Sequence, residues 1–177
     1  MLEKNSSVGE VWENRYDSLV LLNNIRHDSL PGLNFPGNKN SFPKKAQVVE
    51  YLRTYAKHFN FPIIYNANVS DVQKTEKGFS VKSGGDVFFT KSVVVATGAF
   101  HEPSIPNFSK EISDDIYQIH SSEYRNPDQL QLGKTWVVGA GNSGAQISRD
   151  IVEADRIVYF SYPKKPRQLR TEPWKQW

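Results

Sequence analysis

An α/β fold is predicted for this chain of 177 residues by three features of its sequence. An amphipathic helix is followed by several short strands that are separated by turn residues. The apolar segment Ser92–Thr97 is typical of a strand buried on both faces of a parallel sheet. Near the carboxyl end, a strand, a glycine-rich turn, a helix and a second strand predict a βαβ unit. Together these features predict a mixed sheet that contains a β-meander.

The helix and the meander are read from side-chain periodicity. Between Pro43 and Phe59, four apolar residues share one face of a helix: Val48, Leu52, Tyr55 and Phe59. The stretches that follow predict short strands at 62–65, 69–74, 78–82 and 87–90. The βαβ unit is predicted from a strand at 135–138, a helix at about 143–154 and a strand at 156–161.

The composition excludes several classes of protein. The absence of cysteine excludes disulfide bonds, thiolate metal sites and redox chemistry through a Cys-x-x-Cys pair. The histidines show no metal-ligand spacing, and we assign no metal. The longest apolar run, Val93–Ala96, is far too short to span a membrane, and the first residues carry no secretory or lipidation signal. We therefore expect a cytoplasmic protein without membrane association.

Positive charge is concentrated at the carboxyl end of the chain. The formal net charge is +3, yet the stretch from Arg156 to Trp177 holds a cluster of basic residues against a single acid, Glu172. Such a cluster is compatible with a solvated surface, a phosphorylated ligand or nucleic acid. A nucleic-acid module would need a reading surface, for which Trp174 and Trp177 are the only indication. Nucleic acid is therefore not an expected partner.

The stretch from Val137 to Gly144 contains a G-x-G-x-x-G pattern between a predicted strand and a predicted helix. Gly139 suits a tight turn, Gly141 lets the backbone approach a pyrophosphate, and Gly144 lets the helix pack closely on the strand. The helix start adds free N–H groups from Asn142 and Ser143. We predict a dinucleotide phosphate site here; a glycine-rich turn without a ligand is the alternative.

The end of the second strand indicates which nucleotide is preferred. An NAD-preferring site places Asp or Glu there, about 20 residues after the glycines, to hold the ribose hydroxyls. Here the strand ends at Ser161, and Lys164, Lys165 and Arg167 follow. Basic side chains pair with a 2′-phosphate, whereas an acid would repel it. Ser161, Lys164 and Lys165 are therefore candidate ligands, and NADPH is favoured over NADH.

Several further segments resemble the flavin-containing monooxygenase group, especially its single-chain bacterial branch. Leu2–Lys4 and Val8–Trp12 resemble the end of the second FAD-domain strand and the loop that covers FAD. The resemblance makes Glu3, Gly9 and Trp12 candidate FAD ligands. Residues 15–19, 30–32 and 35–36 resemble the loop region beside the isoalloxazine, where Asn23 is a further flavin-contact candidate.

Two later segments extend this resemblance. Val93–Gly98 resembles the family's Ala-Thr-Gly element, where a buried strand ends against FAD, so the candidate FAD ligands include Ala96, Thr97 and Gly98. A plain buried strand and turn is the alternative. Ile119–Tyr124 resembles the second half of the monooxygenase signature, but Asp114 and Ile116 stand where its Phe-x-Gly is expected. His120 is thus either functional or a structural loop histidine.

The resemblance implies a Rossmann-like flavoprotein with two dinucleotide-binding domains, of which this chain carries an incomplete set. Residues 1–130 would form part of an FAD-binding domain whose first βαβ glycine motif is missing. Residues 131–177 would begin the NADPH-binding domain. We expect both ends of the chain to lie inside the full-length family sequence.

The family reaction passes a hydride from NADPH to FAD, and a flavin hydroperoxide formed with O₂ then transfers one oxygen atom to a small substrate. The resemblance therefore implies FAD, NADPH, O₂ and a small organic molecule as partners, and it identifies no catalytic side chain. A pyridine-nucleotide disulfide reductase shares the paired architecture but needs a cysteine pair, which the chain lacks. A second alternative is a truncated, inactive chain that binds NADP(H).

Overall fold

The computed structural model describes residues 1–98 and 102–161, which belong to two compact units. The first unit comprises Met1–Glu10 and Val49–Glu102, and the second comprises Val11–Val48 and the residues from Pro103 onwards. The α-helices of the described residues are α1 (Glu10–Glu13), α2 (Lys45–His58) and α3 (Asn142–Glu153). The strands are β1 (Val69–Thr75), β2 (Gly78–Ser83), β3 (Asp86–Thr90), β4 (Thr135–Val138) and β5 (Val158–Ser161). None of the helices in these ranges is long and apolar enough to cross a membrane.

The β-meander is the main element of the first unit. Strands β1, β2 and β3 form one antiparallel sheet in that order, and the two turns join neighbouring strands directly. Val81 and Ser83 are buried on one side of the central strand, while most of β1 and β3 is exposed. The meander predicted from turn residues and β-favouring stretches is therefore confirmed.

The prediction of a strand at 62–65 was wrong, because this segment forms only one isolated β-bridge with another part of the described chain. Ile64 forms an isolated parallel bridge with Leu2, and its carbonyl accepts the Glu3 N–H at 2.9 Å. A single bridge does not make a strand, since a ladder needs consecutive pairs. The segment instead attaches the chain start to the first unit, where Ala67 N–H also donates to the Glu3 carbonyl at 2.8 Å.

The expected buried strand at Ser92–Thr97 is also not formed. Val94 and Val95 are 88% and 76% exposed, and residues 93–98 have no regular secondary structure. A strand buried in a parallel sheet needs hydrogen-bonded neighbours on its edges, and no described strand lies beside this segment. Antiparallel and parallel pairing consequently occur in two separate sheets of the described chain.

Helix α2 confirms the predicted amphipathic helix, with bounds close to those expected. Val48, Val49 and Tyr51 are buried, which fixes the apolar face of the helix. Phe59, expected on that face, lies one residue beyond the helix and is 40% exposed. It packs instead against Tyr55, with ring centroids 4.8 Å apart.

The βαβ unit forms the centre of the second unit. Strands β4 and β5 pair in parallel, with Thr135 opposite Val158 and Val138 opposite Ser161. Helix α3 connects them, and its inner face buries Ile147 and Ile151. These two side chains form a core cluster with the aromatic rings of Tyr16 and Tyr124, both only 2% exposed.

Helix α3 ends in a Schellman motif. Arg156 N–H donates to the Ile151 carbonyl at 3.2 Å, and Asp155 N–H donates to the Val152 carbonyl at 3.0 Å. Asp155 has φ = 57°, a left-handed conformation that glycine usually supplies at this position. The chain then turns back into β5 in parallel with β4.

Candidate nucleotide-binding site

The turn between β4 and α3 requires glycine at its first position for a backbone reason. Gly139 has φ = +106°, a region that side chains with a Cβ rarely adopt. Its N–H still donates to the Ser161 carbonyl at 3.1 Å, which extends the β4–β5 ladder by one residue. The chain can therefore pass from the strand into the helix through only three residues, Gly139 to Gly141.

Gly144 is required for a different reason, which is the close approach of helix and strand. A Cβ at this position would lie 2.0 Å from the Gly139 carbonyl oxygen and 3.5 Å from the Phe160 ring. The first distance is far inside van der Waals contact, so any side chain would push α3 away from the turn. The structure thus gives Gly144 the helix-packing geometry expected from its place in the pattern.

Gly141 differs from both, because the protein itself does not require glycine there. Its backbone is extended, with φ = −75° and ψ = 177°, and a Cβ would meet no atom within 4 Å. The missing side chain therefore leaves open space directly in front of α3. A group that must touch the backbone, such as a pyrophosphate, fits this opening.

The amino end of α3 provides hydrogen-bond donors at this opening. Gly141 is the N-cap residue and offers no side-chain cap, and the N–H groups of Asn142, Ser143 and Gly144 lie in the first turn. Such N–H groups have no partner within a helix and carry a partial positive charge. The donor set and the space at Gly141 together fit a dinucleotide phosphate.

The end of β5 carries no acidic side chain in the described range. Its last residue, Ser161, is half-buried and pairs with Val138 across the sheet. The expected 2′-phosphate ligands Lys164 and Lys165, together with Arg167 and most of the basic cluster, lie outside the described residues. The preference for NADPH therefore stays a prediction.

Two tyrosine hydroxyls attach α3 to loops from distant parts of the second unit. Tyr16 donates to Gln146 Oε1 at 2.9 Å, and Tyr124 donates to Asp150 Oδ2 at 2.7 Å. Burial raises the pKa of both phenols, and the Asp150 carboxylate raises that of Tyr124 further. Both hydroxyls are therefore neutral donors throughout the ordinary pH range.

Sequence reasoning did not identify these four residues as part of the site. Gln146 and Asp150 are spaced four apart on α3, next to the buried pair Ile147 and Ile151. This spacing indicates that they lie beside the core. Nothing in the sequence names a partner 130 residues away, which is the separation between Tyr16 and Gln146.

The candidate FAD residues of the first unit are Glu3, Gly9, Ala96, Thr97 and Gly98. Glu3 Oε1 accepts the Asn5 N–H at 2.9 Å, which orders the turn after the chain start. Gly9 has φ = +85°, and its Cβ would come within 3.3 Å of Val49, so local packing already accounts for glycine there. The segment Ala96–Gly98 is exposed.

The candidate FAD residues of the second unit are Trp12, which is half-buried, and Asn23, which is exposed. Two acceptors that the sequence did not suggest lie in the same loop. Among the described atoms, Asn24 Oδ1 and Asp28 Oδ2 are buried and have no hydrogen-bond partner. Buried acceptors without hydrogen-bond donors are energetically costly.

His120 has a defined role in its own loop. Its Nδ1 accepts the Ser122 N–H at 3.2 Å and lies 2.8 Å from the Ser122 hydroxyl. Its carbonyl accepts the N–H groups of Glu123 and Tyr124 at 2.9 and 3.1 Å. These contacts support the structural interpretation of this histidine, since they shape the turn that presents Tyr124 to α3.

A parallel strand pair joined through a glycine turn and a helix with an open amino end defines the class of Rossmann-like nucleotide-binding α/β proteins. The chain belongs to the pyridine nucleotide-disulphide oxidoreductase family, whose profile matches residues 13–177. The disulfide chemistry in that family name needs cysteine, and the 177 residues contain none.

Individual relatives confirm the likeness to flavin monooxygenases. The chain is 44% identical over 165 residues to the uncharacterized oxidoreductase CzcO of Bacillus subtilis (strain 168), covering 93% of this chain and 48% of that protein. It is 34% identical over 158 residues to the probable indole-3-pyruvate monooxygenase YUCCA1 of Arabidopsis thaliana, covering 86% and 38%.

A solved structure gives the same result for the fold. The flavin-containing monooxygenase from Stenotrophomonas maltophilia superimposes with a TM-score of 0.85 at 25% identity, covering 93% of this chain and 50% of that one. The chain thus spans about half the length, or less, of the relatives it matches.

Proposed function

We propose that this chain contributes the NADPH cradle and part of the FAD site of a flavoprotein monooxygenase. The observation that carries the proposal is Gly141, a glycine that neither the backbone nor the packing of the protein requires. Its open space faces the free N–H groups of α3, which is the arrangement that a pyrophosphate uses. The family membership and the named relatives support the oxidoreductase class.

The NADPH would be held at its two phosphate positions. The N–H groups of Asn142, Ser143 and Gly144 donate to the pyrophosphate, and Gly139 shapes the turn that aims them. Ser161 stands at the ribose end, and Lys164 and Lys165 pair with the 2′-phosphate by charge. This assignment follows the order of these residues after β4 and α3.

FAD would be held by the residues that the family resemblance identifies. The proposed set is Glu3, Gly9, Trp12, Asn23, Ala96, Thr97 and Gly98. When bound, FAD supplies the redox chemistry: it accepts a hydride from NADPH and, once reduced, reacts with O₂ to oxygenate a small organic substrate. The side chains of this chain would orient the two cofactors and keep water from the reacting atoms.

The same proposal assigns each part of the chain to one cofactor. Residues 1–130 would serve FAD, and residues 131–177 would begin the NADPH-binding domain. We also propose a cytoplasmic location, with a small molecule and O₂ as the reaction partners.

A second candidate function is NADP(H) binding without oxygenation by this chain. The observation that favours it is the exposed segment 93–98, which forms no strand although it carries three of the proposed FAD ligands. A strand end positions FAD only when its neighbours hold it in a sheet. The two functions differ in whether the chain retains flavin.

The test is the visible absorption spectrum of the purified chain after incubation with FAD and removal of free flavin. Retained flavin that is bleached by anaerobic addition of NADPH would support the monooxygenase proposal. Retained flavin that NADPH does not bleach would contradict the NADPH cradle. Loss of flavin with retained NADPH binding would support the second function.

The variant Gly141→Asp separates nucleotide binding from folding in the same assay. A carboxylate in the open space would crowd and repel the pyrophosphate, so NADPH affinity should fall at least about tenfold, equivalent to about 1.4 kcal/mol. Gly85→Asp is the matched control, because a Cβ at Gly85 also meets no atom within 4 Å. Equal NADPH affinity in both variants would exclude the glycine turn as the binding site.

A further inference from the structure

The side-chain amide of Gln146 uses both of its ends to connect α3 with one loop. Its Oε1 accepts the Tyr16 hydroxyl at 2.9 Å, and its Nε2 donates to the Val20 carbonyl at 2.8 Å. Both contacts are partly buried, and all three residues belong to the second unit. We call this arrangement the Gln146 clasp. It fixes the 16–20 loop to the first half of α3.

The Ser143 side chain in the first turn of α3 also influences the Tyr16 hydroxyl, because it lowers the pKa that burial raises. Ser143 is the second residue of the helix, and its N–H belongs to the open amino end. Tyr16 itself is 2% exposed and packs against Tyr124, with ring centroids 6.4 Å apart. The hydroxyl is therefore held in place by the core rather than by solvent contacts.

Close packing at Gly144 holds the amino end of α3 to the turn, but no side chain caps it. Its N-cap residue, Gly141, provides no side-chain hydrogen bond to the first turn. Helix ends without such caps fray, and frayed N–H groups point in changing directions. The second hydroxyl contact, from Tyr124 to Asp150, lies about one turn further from the glycines.

We propose that Tyr16 is a positioning residue for the pyrophosphate-binding turn and acts through Gln146. The inference rests on the proposed NADPH site. It assigns to the Gln146 clasp the orienting role that a side-chain cap has in other helices, and it leaves the opening at Gly141 free for the ligand. The pyrophosphate is common to NADPH and NADH, so Tyr16 influences the affinity for both nucleotides equally.

The variant Tyr16→Phe removes the hydroxyl and keeps the buried ring. We expect the dissociation constants for NADPH and NADH to rise by the same factor, about three- to tenfold, which corresponds to one lost hydrogen bond. Tyr124→Phe is the matched control, because it removes the hydroxyl of an equally buried tyrosine that bonds Asp150 of the same helix. It should lower the melting temperature without changing either dissociation constant.

Hydrogen exchange of the ligand-free chain gives a readout that is independent of nucleotide binding. Tyr16→Phe should speed the exchange of the amides at 142–146, whereas Tyr124→Phe should leave them unchanged. The same acceleration in both variants, or none with Tyr16→Phe, would overturn the positioning role. A wild-type chain that binds neither nucleotide would overturn the proposed function, while the exchange comparison would still decide the role of the clasp.

Discussion

At the scale of single residues, the glycine turn combines two kinds of requirement within a few positions. Gly139 is needed for its backbone angle and Gly144 for the distance to a carbonyl oxygen. Gly141 is needed for neither reason, because its backbone is extended and a Cβ there would meet no atom within 4 Å. The residue pattern predicted the three positions as a set. Only the geometry separates the two that serve the fold from the one that suits a ligand.

The replacement Gly144→Ala should be strongly destabilising. Its Cβ would lie 2.0 Å from the Gly139 carbonyl oxygen, and neither backbone segment can yield without separating α3 from the turn. We expect a loss of about 1–3 kcal/mol in the free energy of unfolding, as in overpacked cores. Urea denaturation followed by circular dichroism measures it.

The control for this prediction is Gly141→Ala, which adds the same methyl group where nothing lies within 4 Å. Its free energy of unfolding should equal that of the wild type or be slightly higher. Equal stability of all three proteins would show that the contact at Gly144 relaxes without cost.

At the scale of elements, α3 is defined differently at its two ends. Its amino end is open, whereas its carboxyl end is closed by the Schellman motif with Asp155 in the left-handed conformation. The helix was readable from the sequence because its apolar spacing is local. The left-handed conformation of Asp155 could not be predicted from the sequence, since no glycine stands there to signal the end of the helix.

We expect Asp155→Gly to stabilise the chain by a few tenths to about 1 kcal/mol. Glycine adopts φ = 57° without steric cost, and the replacement also removes a negative charge from the negative end of the helix dipole. The greater freedom of glycine in the unfolded chain offsets part of the gain. Thermal unfolding of Asp155→Gly and Asp155→Asn separates the two contributions, because asparagine removes only the charge. A lower melting temperature for the glycine variant than for the wild type would contradict the expected gain.

The contact that joins the 15–17 loop to the start of α2 should make stability depend on acid pH. The Asp17 carboxylate accepts from Lys45 Nζ at 2.8 Å and from Asn126 Nδ2 at 2.9 Å, and these contacts lower its pKa. A lowered pKa stabilises the fold above the unfolded value of 3.8, and the contribution is lost as the pH falls through the folded value.

Asp17→Asn should therefore reduce the urea midpoint at pH 7, and the difference from wild type should shrink towards pH 3. The side chain of Asp17 is 58% exposed, so solvent screening keeps the effect small. Asp115→Asn, at an exposed aspartate of the same unit, is the control. A constant difference between Asp17→Asn and wild type across this pH range would show that the ionised form contributes nothing.

At the scale of the whole molecule, the described chain exposes large apolar side chains in both units. Phe89 and Val94 are 78% and 88% exposed in the first unit, and Leu132 and Trp136 are 97% and 71% exposed in the second. Apolar residues exposed to this extent on sheets and extended segments favour association with other apolar surfaces. The relatives are about twice as long as this chain or longer.

We expect the isolated chain to bind the dye ANS and to self-associate as its concentration rises. Replacing Val94 and Trp136 together by lysine should reduce dye fluorescence and shift sedimentation towards the monomer. The control is a double lysine variant at the exposed polar positions Thr54 and Gln131. A wild-type chain that sediments as a monomer at all concentrations and binds no dye would refute the expectation.

The elements that depend on local signals were predictable, namely α2, the meander and the βαβ unit. The conformation of Ser92–Thr97 was not predictable. Its apolar residues form a buried strand only when neighbouring strands pair with them, and they are exposed where no such strand lies beside them. The Tyr16–Gln146 contact was not predictable either, since hydrogen bonds across 130 residues leave no periodic pattern. The glycine turn was thus predictable from local sequence, whereas the contacts that hold α3 depend on long-range packing.

The open space at Gly141 also has a consequence for how the sequence of this turn would change if nucleotide binding were lost. A lineage that ceased to bind a nucleotide could not replace Gly139 or Gly144 without harming the fold. Position 141 would then be free to drift, and drift would favour serine, threonine, aspartate or asparagine, which cap a helix better than glycine. Mutations would therefore replace Gly141 before they replace Gly139 or Gly144. A glycine at position 141 is therefore what a phosphate site in use would need and what a site out of use would lose.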